Sequence, residues 1–460
     1  MALTKKSERM GSEPVVPLLL RLSIPSIIGM SVQSLYNIID SIYIGRLSTE
    51  ALSALSLAFP IQMVLIAVAV GTGVGTSSLI SRLLGEGKEE RANIVAAHVV
   101  LATIFFGIII GTIGYFFSED IFRFITDDPE LIALGEEYIR VIMLGSFAMF
   151  FPVVASDILR GEGNTFVPML TLVFGAVLNI ILDPFLIFGI GFFPRLEVAG
   201  AAYATVISRF IGGLFIAYLI FKGHNQVEIK YTGFKFDFKI LRDVYKVGLP
   251  AMVMQLLASI MIFGANTIVG IYNTTAIAVL GIYFRLQSFV FMPVFGLAQG
   301  FMPIVGYNYG HNKPDRVMKT IKFGLLIAFG FTTAGLIIFQ IFTVPLIQLF
   351  NDDPELLEIG VTALKRISIA FPIIGPAIIG STTFQAIGKG LPSLIISFSR
   401  QIILLLPIMY LLGRIAGLDY LWLAFPLSEG MVFIVMVIWL RKTLNNAVNS
   451  MEKLNDSNTN

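Results

Sequence analysis

Cysteine is absent from this chain. It therefore has no disulfide, no thiolate metal site and no thiol nucleophile. Histidine is almost as scarce, with only His98, His224 and His311, too few for a metal centre or a catalytic triad. HExxH, Walker-type and GxSxG motifs are missing as well, so neither hydrolysis nor nucleotide binding is expected and the chain does not read as an enzyme. Charge is the third shortage. Only 13% of the residues are Asp, Glu, Lys or Arg, where soluble domains carry about 25%. A net charge of +2, with no basic cluster interleaved with aromatics, excludes nucleic acid as a partner.

What fills the chain instead is apolar. Of its 460 residues 56% are hydrophobic, and the mean hydropathy is +0.84. Membrane lipid is the surrounding such a chain requires. A bilayer is crossed by about 20 apolar residues. Twelve spans follow, near 15–44, 51–81, 94–117, 131–159, 166–190, 198–222, 240–270, 275–307, 316–349, 355–385, 391–412 and 418–440. The segment Met1–Glu13 is polar and mildly basic. The apolar run after it outlasts a signal-peptide core, so no cleavage is expected. Most Lys and Arg fall in loops on the side of the N-terminus, whereas Arg46, Arg123, Arg195 and Arg414 lie opposite. Positive charge stays inside, so both termini are expected in the cytoplasm, with the protein in the cell inner (plasma) membrane.

A repeat organises the chain. At a constant shift of 225 residues Pro25 matches Pro250, Gly45 matches Gly270, Gln62 matches Gln287, Gly71 matches Gly296 and Gly75 matches Gly300. Gly85, Lys88 and Arg91 recur as Gly310, Lys313 and Arg316, and the DDPEL run at 127–131 recurs at 352–356. Gly135 and Gly163 recur as Gly360 and Gly388. Six spans in each half is an even number, so both halves insert the same way. The expected fold is an all-α polytopic membrane protein, with twelve transmembrane helices in two six-helix lobes about a pseudo-two-fold along the membrane normal. Its expected parts are an N-terminal segment 1–14, an N-lobe 15–222, a linker 223–239, a C-lobe 240–442 and a tail 443–460. The linker and both terminal segments are cytoplasmic, and a monomer is the expectation.

Function is sought where the repeat breaks. In the first span Gln33, Tyr36, Asn37, Asp40 and Tyr43 share one helical face. At the 225 shift the counterpart of Asp40 is Ala265. In the fifth span Asp183 precedes Pro184, and alignment on Pro407 sets Leu406 opposite it. A carboxylate at bilayer depth costs several kcal/mol or more, so it is rarely placed there without a partner or water. Asp40 lies about 7 Å and Asp183 about 10 Å from the outer ends of their spans at the helical rise per residue. Asn179 sits one turn from Asp183. Two carboxylates in a dry cleft are not comfortable when both are ionised, which invites a proton. The alternative is Na⁺, caged by the carboxylates with the oxygens of Asn179, Asn37 and Thr205. Candidates for the cargo cavity are Gln33, Tyr36, Tyr43, Gln62, Tyr138, Gln255, Gln287, Met261 and Met292. Methionines give a pliable apolar surface. Glu429, Arg285 and Arg400 read as an internal salt network, and His98 as a packing residue. No cofactor is implied beyond the coupling ion.

These residues resemble the multidrug and toxic compound extrusion (MATE) family over nearly the whole chain. The resemblance rests on twelve spans, the doubled six, the LRGEGN run at 159–164 before Pro168, its echo in Gln385, Gly388 and Pro392, and on Asp40 and Asp183. It is strongest to the MepA-like bacterial branch, through the RMGSEP run at 9–14, LYNIID at 35–40 and LDP at 182–184. The resemblance implies antiport of small-molecule drugs, amphipathic and often cationic, against H⁺ or Na⁺ by alternating access. It also implies Asp40, Asn179 and Asp183 as coupling residues, with Na⁺, if used, at those three. A flippase of lipid-linked intermediates in a related superfamily is the competing reading, and the scarcity of intramembrane Lys and Arg counts against it.

Overall fold

Helix starts and stops recur with the sequence repeat. The Ser48 hydroxyl accepts from the Ala51 N–H, and Asn273, 225 positions on, accepts from Thr275 in the same way. In the two DDPEL runs Asp128 caps Glu130 and Leu131, and Asp353 caps Leu356. Pro129 and Pro354 open the helices that follow, where a missing N–H costs nothing. Gly163 and Gly388 each take a positive φ, 84° and 81°, in the turn after a helix. Only glycine enters that region cheaply.

The computed structural model describes residues 7–45, 47–191, 193–222, 225–231, 234–350 and 352–459, and within these it leaves out the side chains of 37, 38, 41, 42, 44, 45, 49, 52 and 454–459. Among the described residues the chain is helical, with no strand. In order it forms α1 (Glu8–Ser12), α2 (Val15–Gly45), α3 (Thr49–Gly85), α4 (Glu89–Ile125), α5 (Pro129–Leu144), α6 (Ser146–Gly161), α7 (Phe166–Phe188) and α8 (Glu197–Lys222). The second repeat runs through α9 (Phe238–Gly270), α10 (Thr274–Gly310), α11 (Pro314–Ile341), α12 (Thr343–Gln348), α13 (Pro354–Ser368), α14 (Phe371–Ala386) and α15 (Gly390–Phe398). A π-helical stretch, Ser399–Leu405, joins α15 to α16 (Leu406–Ala416), before α17 (Leu418–Leu421) and α18 (Ala424–Thr459). Ten helical stretches cross a membrane by length and hydropathy. Two bent pairs, α5 with α6 (47°) and α13 with α14 (49°), complete the expected twelve.

The chain divides into two compact units, and the cuts fall inside helices. One unit holds Ser7 and 28–252; the other holds 8–27 and 253–459. Thus 15–27 groups with the second repeat and 240–252 with the first, which differs from the lobe limits expected above. The cuts after Ile27 and after Met252 are again 225 residues apart.

Repeated glycines explain the grouping. A Cβ on Gly71 would sit 2.6 Å from the Gly248 carbonyl oxygen of α9, and one on Gly75 would sit 2.3 Å from that of Val244. In the other unit a Cβ on Gly296 would be 2.7 Å from the Ile27 backbone, and one on Gly300 would be 2.7 Å from the Ser23 nitrogen. Backbone thus meets backbone where α3 crosses α9 and where α10 crosses α2. The expected tail 443–460 is not separate. Leu440, Leu444, Ala447 and Met451 are buried at three- and four-residue spacing, so α18 continues as one packed helix.

Polar fastenings hold the segments before α2 and α9. On the first unit Glu162, fully buried, accepts from the Gln226 and Val227 N–H groups at 2.9 and 3.0 Å. Asn93 accepts from Glu228 N–H, and His98 Nε2 accepts from Asp237 N–H, both at 2.8 Å. His98 is therefore a linker anchor rather than a packing residue, and Phe234 and Phe236 lie against its ring. On the second unit Arg316 donates to the carbonyls of Met10 and Glu13, while Lys313 donates to that of Gly11. Residues 223, 224, 232 and 233 of the expected linker lie outside the described residues.

Candidate functional site: two acids of the first unit

The first unit brings together most of the residues expected at a coupling site. Asp183, on α7, is fully buried. Asn179, one turn earlier on the same face, is also buried. With its amide oriented to satisfy both neighbours, Asn179 donates to Asp183 Oδ2 at 3.1 Å and accepts from the Thr205 N–H of α8 at 3.2 Å. The charge of Asp40, on α2, acts on Asp183. Tyr36, one turn before Asp40, is buried, hydrogen-bonds the Thr205 side chain, and feels Asp40, Asp183 and Arg209. Tyr138 of α5 is buried within reach of the same acids and accepts a 3.2 Å hydrogen bond from Gln62 Nε2.

Each acid retains an unused oxygen. Among the described residues no donor reaches Asp40 Oδ1 or Asp183 Oδ1, although both atoms are buried. Burying an acceptor without a partner is costly. A proton on one carboxylate, or a hard cation between them, would remove that cost. The groups available to a cation are two carboxylates, the Asn179 amide and the Thr205 oxygens. Among the described residues no cluster of three or more His, Asp or Glu side chains offers a transition-metal site.

Other expected residues lie elsewhere. Tyr43 packs edge-on against Phe188, ring centroids 6.4 Å apart, at the rim of the first unit's apolar core. Gln33 is half-buried on α2, and the side chain of Asn37 lies outside the described residues. Gln255, Gln287 and Met292 are half-buried members of the second unit, while the acid cluster belongs to the first. Met261 packs against the second unit's core. Of the proposed salt network, Arg400 and Glu429 pair at 3.1 Å, whereas Arg285 is exposed.

Another buried acid escaped the sequence reading. Asp157 of α6 accepts from Arg160 Nη1 at 2.9 Å, and its other oxygen sits where a Cβ on Gly73 of α3 would be 1.9 Å away. Its place near a span end disguised it. The repeat would have exposed it, because Thr382 stands at the matching position.

A doubled membrane bundle with an acid pair in one half defines the class of a secondary transporter. The MatE family model matches twice, over residues 25–185 and 250–411, and the chain belongs to this family of multi-pass membrane transporters, which are not enzymes. The chain is 30% identical to the FAD transporter of Shewanella oneidensis, over 91% of this chain and 92% of that one. It is 28% identical to the multidrug export protein MepA of Staphylococcus aureus, over 88% and 89%. A solved outward-facing multidrug resistance MATE family transporter superimposes with a TM-score of 0.91 at 32% identity, covering 97% of this chain and 99% of that one.

Proposed function

We propose that this protein exports amphipathic drugs in exchange for protons, with Asp40 and Asp183 as the exchange site, Asn179 and Thr205 as their supports, and Tyr36, Tyr138 and Gln62 at the rim. The observation that carries this reading is the pair of buried, partnerless carboxylate oxygens of Asp40 and Asp183, found among the described residues in one unit and not the other. Protonation from the outer side lets one acid donate where none of its neighbours does. A ligand shifts an equilibrium only by its differential affinity for two states. Cargo and proton are exchanged by alternating access if each favours a different state. The protein works in the plasma membrane as a monomer, with both termini in the cytoplasm.

Dye efflux from proteoliposomes under separate pH and Na⁺ gradients tests the reading. A response to pH alone supports the proton. A response to Na⁺ alone transfers the same residues to a hard-cation site. Efflux that survives in both Asp40→Asn and Asp183→Asn removes the site altogether. The Shewanella relative carries the name of FAD, a pyrophosphate, so amphipathic anions belong in the cargo panel beside cationic dyes.

A further inference from the structure

The second unit has no counterpart of the acid pair, yet it buries charge of its own. The eleventh span is interrupted by the π-helical stretch Ser399–Leu405, the only one among the described residues. Such segments are uncommon inside α-helices and frequently accompany functional sites. Arg400 and Gln401 lie within it. Arg400 Nη1 donates to Glu429 Oε1 of α18 at 3.1 Å.

Two features show that this pair is not closed. A guanidinium has five N–H groups, and among the described residues Glu429 is the single acceptor that Arg400 finds. The Arg400 side chain is 26% exposed against 11% for Glu429, so the cation is the more open half. One turn before Arg400, Ser397 touches Met254 at 3.2 Å. The buried rings of Tyr283 and Phe425 meet at 5.7 Å, and Tyr283 feels both charges of the pair. A cation with unused donors, close enough to the aromatic Tyr283 to act on it, matches an organic anion with an apolar body.

We propose that Arg400 and Glu429 form an anion-binding site of the second unit, at which the anionic group of an amphipathic cargo takes the place of the Glu429 carboxylate. Arginine keeps its charge at any physiological pH, so the exchangeable partner is Glu429. When Glu429 binds a proton its charge is neutralised, and Arg400 is left needing another anion. The charged and titratable groups facing Glu429 are Arg400 and the Tyr283 hydroxyl. Acidification therefore strengthens anion binding. This deepens the export reading by naming a cargo class and its contact, and it rests on that reading for its role in transport.

The full-length protein in phosphatidylcholine nanodiscs, which contain no acidic lipid, is titrated with FAD and, separately, with ethidium over a series of pH values. FAD binding is expected to be tighter at lower pH. Glu429→Gln should make it pH-independent at the tighter value. Arg400→Gln alone leaves Glu429 unpaired and risks misfolding, so the Arg400→Gln/Glu429→Gln double variant, which removes both charges, is the decisive one. It should weaken FAD by about tenfold or more, the loss of a charge-assisted contact, with ethidium unchanged. Wild-type protein that fails to bind FAD, a double variant that binds it normally, or a Glu429→Gln variant that binds it more weakly would each overturn the site. Equilibrium binding needs no gradient, so it is read separately from efflux. Loss of wild-type efflux sinks the export reading and leaves the binding result standing.

Discussion

The two units solve the problem of buried charge in opposite ways. The first concentrates like charges, Asp40 and Asp183, and supports Asp183 with a neutral donor, the Asn179 amide. The second sets opposite charges together, Arg400 with Glu429, on an irregular stretch of helix. The packing framework is shared, since caps, turn glycines and helix crossings recur 225 residues apart. Duplication preserved what packs and let the chemistry diverge. Like charges without a counter-ion call for an incoming cation; an opposed pair is stable until one member is neutralised.

The sharpest way to break the comparison is to neutralise the acids. Asp183→Asn and Asp40→Asn should each reduce gradient-driven dye efflux to the level of empty vesicles while leaving equilibrium dye binding intact. Asn179→Ala removes a donor to Asp183 and a packing contact, and should slow efflux less than either acid variant. Next in size is the opposed pair. Arg400→Gln alone should destabilise the fold by about 3 kcal/mol, and the double neutral variant by far less, because losing one partner of a buried pair costs more than losing both. Thermal unfolding of the three proteins measures this. The shared framework comes third. Gly71→Leu and Gly296→Leu force backbones apart at equivalent crossings, and each should cost about 1–3 kcal/mol, typical of overpacking; a large difference between them would show that the repeats are not mechanically equivalent. The smallest effect is a control. A Cβ on Gly330 of α11 meets nothing within 4 Å, so Gly330→Ala should be neutral or stabilise by up to about 1 kcal/mol, as helix propensity predicts.

Much of this was legible in the sequence. Asp40 and Asp183 stood out because acids in an apolar run are costly, Asn179 and Tyr36 because helical spacing set each one turn from an acid, and Thr205 only as an oxygen of the sixth span. The glycine pairs were visible as repeats, though not as crossings. A long-range approach of two backbones leaves no periodic signal of its own. Bends are hidden for a related reason. The α5–α6 bend falls at Gly145, where a Cβ would be 2.4 Å from Val206 of α8. The neighbour demands the glycine, and the neighbour is sixty residues away. The π-helical stretch left no trace, because Ser399–Leu405 holds neither proline nor glycine to mark an irregular turn. His98 looked like packing because its partner, the Asp237 N–H, lies in a segment with no pattern.

The way Glu162, Asn93 and His98 hold the stretch between the repeats has a mechanical result. A tether of that length would ordinarily give its ends many relative positions, and confining it by backbone hydrogen bonds removes them. The joint between gene-duplicated halves is thus a strap rather than a leash. A protease nick beside Val227 should leave the severed piece seated, and such a nicked chain should still elute and melt as one particle.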